Sequence, residues 1–194
     1  VAEPLTRDKI LEAAEQVLRR FGPAKTTVVD VARALGVSHG SVYRHFASKS
    51  ELLDAVVEAW LKRTSGSLED VANGDGPPRE RLRQWLQNLS AIKRAKVSSD
   101  PEMFAASREV FAEVGAVVAR HVATLEGQIE TILADGVKRG EFAIPDTHAT
   151  AQAIFDATAR FHDPAHAAEW KAEGTDAAFD RVWTLIEATL APPR

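Results

Sequence analysis

The chain has 194 residues, 45% of them hydrophobic and 27% charged, a globular composition with material for one large or two small cores, which excludes a disordered tail. No run approaches the roughly 18 uncharged apolar residues of a membrane span, and the lack of cysteine excludes disulfides, thiolate metal sites and cysteine nucleophiles together. The net charge of −4 is uneven: residues 1–50 hold 8 Lys and Arg against 5 Asp and Glu, leaving 16 against 23 for the rest, so a basic N-terminal piece precedes an acidic body.

Alternation of period two is missing, whereas Ala, Leu, Glu, Arg and Val recur at three- and four-residue spacings, which predicts an all-α chain. Thr6 is the first N-cap candidate, and its helix should bury Ile10, Ala14, Val17, Leu18 and Phe21 before Gly22 and Pro23 end it. Thr27 with Asp30 resembles a capping box with the shorter acid, opening a short helix whose stripe is Val28, Val31, Ala32 and Leu35, and Gly36 supplies its left-handed end. Ser38 opens a helix over about 39–46, too short to be stable unless its neighbours pack on it. Ser48 to Glu51 form a second capping box, before a connector helix of about 48–68 that buries Leu52, Leu53, Val56, Val57, Trp60 and Leu61.

Gly74 to Pro78 make the clearest loop, and the helix after it carries Leu82, Trp85, Leu86, Leu89 and Ile92. Pro101 punctuates again, ahead of a helix with Met103, Phe104, Val110 and Phe111. A longer helix over about 116–138 and two more, about 147–162 and 176–190, complete the chain. The start of the chain shows no basic stretch followed by an apolar segment, so the expected location is cytoplasmic.

Residues 27–46 read as a helix-turn-helix. Ala32 is small where two helices would cross, Gly36 can adopt a positive φ at the turn, and Val37 and Val42 are apolar where the second helix must pack on the first. The free face of the second helix then carries His39, Ser41, Tyr43, Arg44 and His45. A helix fits the major groove of B-DNA, so this face can read base edges while the helix N-terminus and Lys49 meet phosphates. The same pattern fits a short helical hairpin in an ordinary bundle with a merely solvated polar face. The basic balance up to residue 50 and the separate acidic body favour DNA.

On these residues, Thr6 to about Trp60 resembles the DNA-binding domain of the tetracycline-repressor (TetR) family of bacterial transcriptional regulators. The resemblance is carried by Ile10-Leu-Glu-Ala-Ala14, Phe21-Gly22, Thr26-Thr27, Val31-Ala-Arg-Ala-Leu-Gly-Val37, Ser41-Val-Tyr-Arg-His-Phe46 and Lys49-Ser-Glu-Leu-Leu53, in order and spacing, over about a third of the chain. It implies an all-α homodimer of about nine helices per subunit, with a helix-turn-helix domain at 1–50 and an effector-binding and dimerisation domain at 51–194. It implies a repressor that binds a near-palindromic operator, without a cofactor, and that a small molecule releases. Residue by residue, Thr27 matches the family's phosphate-contacting threonine. His39, Gly40, Ser41 and Arg44 take positions facing base edges or nearby backbone, and Tyr43, His45 and Lys49 match phosphate contacts. Val28 departs from members with a basic residue there and so removes one contact.

In the body the resemblance is one of architecture only. It places the dimer interface on the last two long helices, with small Ala153 and Ala157 for close packing and Phe179, Trp183 and Ile186 as anchors. The effector pocket candidates are Trp85, Leu89, Met103, Phe104, Phe111, Val118, Phe155 and His162, a set that favours a hydrophobic effector, with Glu102, Glu109 and Glu113 leaving a cationic one open. A Met or aromatic residue on a helix is more often core than pocket, so each of these also reads as a core residue. His162 and His166 have the i, i+4 spacing of a metal pair, but Pro164 between them breaks the helix, so no metal site is expected. Competing readings are an activator, a regulator answering to a protein, and a small helical enzyme. No phosphate loop or nucleophile motif supports the enzyme, so none is expected.

Overall fold

The computed structural model describes residues 4–191, without the side chains of residues 24, 107–109, 112 and 113. Among the described residues there are eleven α-helices and no strand: α1 (Arg7–Phe21), α2 (Val28–Leu35), α3 (His39–Tyr43), α4 (Lys49–Ser65), α5 (Ser67–Ala72), α6 (Pro78–Ser99), α7 (Pro101–Glu113), α8 (Gly115–Lys138), α9 (Thr147–Ala157), α10 (Ala159–His162) and α11 (Thr175–Leu190). No helix among them is long and apolar enough to cross a membrane. They form two compact units, one of residues 1–63 with 100–121, the other of 64–99 with 122–194.

In the first unit, the stripes expected of α1, α2 and α4 meet in one core. Ile10, Ala14, Leu18, Val31, Val42, Phe46 and Val57 are all fully buried there. Thr6 and Thr27 cap α1 and α2 as their spacing predicts, the latter through a complete capping box with Asp30. Gly36 is left-handed at φ +66°, which lets the chain turn from α2 into α3. The sequence does not announce that α7 joins this core: Met103, Val110 and Val114 are buried in it, and the Arg19 guanidinium donates two 2.9 Å bonds to the Asp100 carboxylate ahead of α7. Phe21 departs from its expected burial. It is 49% exposed at the end of α1, with the Arg20 guanidinium 5.1 Å from its ring.

The second unit has its own core, built around Leu82, Trp85, Leu89, Ile129, Ile132, Leu133, Phe155 and Trp183. Its α8 ends where Gly140, at φ +74°, turns the chain and lays the Phe142 ring on Gly136, so closely that a Cβ there would fall 2.0 Å from the ring. The helix expected over 147–162 is broken at Thr158, whose hydroxyl donates back to the Ile154 carbonyl at 2.8 Å and separates α9 from α10.

Candidate nucleic-acid interface

The helix-turn-helix residues fall in two groups. Val37 and Val42 pack on the first core, and Val42 is fully buried. His39, Gly40, Tyr43 and Arg44 are exposed, with Ser41 and His45 half-buried beside them. The five-residue α3 ends sooner than expected, and the turn that follows it gives Phe46 to the core. Ser38 caps it, accepting from the Ser41 backbone N–H, and a chain of side-chain bonds runs along it: Ser38 Oγ lies 2.9 Å from Ser41 Oγ, which accepts from Arg44 at 3.2 Å. Arg44 is therefore held at the outward face by bonds within the chain. The Tyr43 ring meets His39 edge-on at 6.4 Å and is 47% exposed. Gly40 has no positive φ, and a Cβ there would lie 3.8 Å from Ser38 Oγ, so the backbone does not demand glycine.

Two expected phosphate contacts have partners within the chain. The Thr27 hydroxyl donates to Asp30, and this bond holds the Asp30 carboxyl below the usual carboxylate range. The Lys49 ammonium donates to the Pro23 carbonyl at 3.0 Å. The His45 backbone carbonyl accepts from Arg7 at 2.8 Å. Arg7 is the residue that sequence reasoning missed. Its guanidinium lies 4.1 Å over the Phe46 ring and 3.7 Å from Glu51, tying the start of α1 to the end of α3. The signal was there: Phe46 begins the stretch that Glu51 caps, and Arg7 sits in the first turn of α1, where an acid is the ordinary choice.

The effector candidates are divided between the units. Met103, Phe111 and Val118 belong to the first core, where Phe111 meets Trp60 at 6.3 Å, and Phe104 is buried on α7. Trp85, Leu89 and Phe155 belong to the second, and Trp85 donates its indole N–H to Gln128 at 2.9 Å. His162 packs on Phe155 with ring centroids 4.4 Å apart. Glu102 is exposed, and the side chains of Glu109 and Glu113 lie outside the described residues. His166 is not brought to His162, being hydrogen-bonded to Glu169 at 2.8 Å.

Of the dimer candidates, Ala153 and Ala157 face outward from α9, whereas Phe179, Trp183 and Ile186 point into the second core at 4–7% exposure. The large apolar residue on the outer face of α11 is Leu185, 68% exposed, which sequence reasoning passed over.

Two family descriptions match this chain: "Bacterial regulatory proteins, tetR family" over residues 10–56, and "Tetracyclin repressor-like, C-terminal domain" over residues 78–183. Among curated proteins it is similar to the HTH-type transcriptional regulator TtgR of Pseudomonas putida, 43% identical over 97 residues, and to the HTH-type transcriptional repressor KstR2 of Mycobacterium tuberculosis, 35% identical over 88. The matches cover 47% and 45% of this chain and only 46% and 44% of those relatives, less than half their length. Among solved structures, the transcriptional regulator FadR of Bacillus subtilis, in complex with stearoyl-CoA, shares the fold at a TM-score of 0.67 and 16% identity, over 95% of this chain and 100% of that one.

Proposed function

The chain belongs to the tetracycline-repressor family of bacterial regulatory proteins, and from that premise we propose that it is a dimeric transcriptional repressor, freed from its operator by a small hydrophobic effector. The observation that carries the reading is the outward face of α3, where His39, Ser41, Tyr43 and Arg44 stand on a helix whose other side is locked into the core by Val42. In this reading Arg44 reads base edges, Tyr43 and Lys49 hold phosphates, and two copies of α3 enter successive major grooves about 34–36 Å apart. The effector acts from the helical body, residues 51–194, by binding the released state more tightly than the DNA-bound one. Exposed Ala153, Ala157 and Leu185 supply the surface on which a second copy packs, and the three anchors expected from sequence serve the subunit's own core.

The test is selection of bound duplexes from fragmented genomic DNA at a stated salt concentration, with Tyr43→Ala as control. A near-palindromic site enriched by the unaltered protein and lost in the control supports the repressor. Equal recovery by both would sink the assignment of α3 as the reading helix.

A further inference from the structure

At five residues α3 is too short to hold its own place, so whatever fixes its far end decides where its side chains point. One fastening is Phe46, fully buried in the first core. The other is polar and comes from two different helices. From the start of α1, the Arg7 guanidinium donates to the His45 carbonyl at 2.8 Å, at a helix end whose carbonyls have no partners of their own, and it stands 4.1 Å from the centre of the Phe46 ring. Glu51, in the first turn of α4, holds the same turn two residues on. One of its carboxylate oxygens accepts from the Ala47 backbone N–H at 2.7 Å, and the other lies 3.7 Å from Arg7. The turn is thus gripped at a carbonyl by a cation and at an amide by a carboxylate, and the two gripping groups pair with each other.

The place of Arg7 in the sequence makes sense in these terms. A cation in the first turn of α1 faces the positive end of its own helix, which is unfavourable, whereas the free carbonyls at the end of α3 offer it the negative pole. The Arg7 and Glu51 side chains are 50% and 44% exposed, so their ion pair by itself stabilises the fold little. Its consequence is geometric. The residue before the gripped carbonyl is Arg44, which lines a surface hollow beside α3 with His45, Ser41, Val37 and Leu5.

We propose that Arg7, backed by Glu51, is a positioning residue for sequence recognition: it fixes the end of α3, and so the direction from which Arg44 meets base edges, without touching DNA itself. A bidentate contact between a guanidinium and a base edge tolerates little displacement. Slack at this end is therefore lost as discrimination, and not as general affinity, which phosphates supply. The part that Arg7 plays in reading rests on α3 being the reading helix, but its grip on α3 does not.

The test compares the full chain with Arg7→Gln, Arg44→Ala and the double variant. Hydrogen exchange is measured first, without DNA: in Arg7→Gln the Phe46 and Ala47 amides should exchange about 10-fold faster or more, while those of Leu18 and Val57 keep their rates. Unchanged exchange at Phe46 and Ala47 overturns the proposal. The duplex selected from genomic fragments and a shuffled copy of it then give a ratio of affinities. Arg7→Gln should lower this ratio about 5-fold or more when made alone and less than about 2-fold when added to Arg44→Ala, with the salt slope on the shuffled duplex unchanged. An equal fall in affinity for both duplexes would leave Arg7 a bond of the fold and nothing more. An equal loss of the ratio in both backgrounds would detach it from Arg44, and a salt slope smaller by about 1 would make it a phosphate contact. Each of these results overturns the proposal. No preference between the two duplexes in the unaltered protein is a different failure: it removes α3 as the reading helix, and with it the part of Arg7 in reading, and leaves the grip on α3 to the exchange rates.

Discussion

His162 sets a pH dependence that can be followed at one residue. Burial lowers its pKa from 6.5 to about 4, so between these values the unfolded chain binds the proton that the folded chain refuses. Stability contributed by the neutral ring is therefore complete above about pH 6.5 and is lost as the pH falls towards 4, by about 3 kcal/mol in full. Urea titrations at pH 7.5 and 5 should show a smaller loss in His162→Gln than in the unaltered protein. On the outward face, Arg44→Ala should weaken operator binding by about 1–3 kcal/mol and relax preference at particular base pairs. Lys49→Ala should weaken all duplexes alike and reduce the salt slope by about 1, as measured by titration over a salt series. Because Lys49 also holds the Pro23 carbonyl, this variant should lose some stability as well. The exposed set on α3 was legible in the sequence because Val37 and Val42 fix which side faces the core. The Thr27 partnership with Asp30 was legible as a capping box, and that of Lys49 with Pro23 was not: a family resemblance supplies a role towards DNA and says nothing of the bond this side chain makes without it.

At the scale of elements, the caps were the most readable features, since Thr6, Thr27 and Ser38 act through neighbours three residues away. The stripe of α11 was readable too, but its destination was not. Phe179, Trp183 and Ile186 have the spacing of a buried face, and nothing in that spacing tells whether the subunit or a partner buries them. The same limit hid the break at Thr158, where a hydroxyl bond to the preceding turn ends α9 without glycine or proline. The outward face of α11 now makes the sharper prediction. Leu185→Glu, at a site 68% exposed in the single chain, should leave the far-ultraviolet circular dichroism unchanged and shift sedimentation from dimer to monomer. A dimer that persists would remove Leu185 from the interface.

For the whole molecule, the first unit is discontinuous in sequence. Residues 1–63 carry the helix-turn-helix, yet their core is completed by Met103, Val110, Val114 and Val117. A fragment ending at residue 63 should therefore melt without a cooperative transition and bind a hydrophobic dye, measured by calorimetry and fluorescence against the full chain. The boundary expected at residue 50 was drawn from the charge balance and the family resemblance, neither of which reports which distant segment returns to pack. This arrangement also bears on the order of events during synthesis. The helices that would meet DNA are made before residues 100–121 and must wait for residue 121, about 3–12 s after residue 63 at about 5–20 residues per second. By then only residues 64–99 of the second unit, about a third of it, have been made, so the segments of the reading head are all present while most of the part that would answer to a signal is still to come.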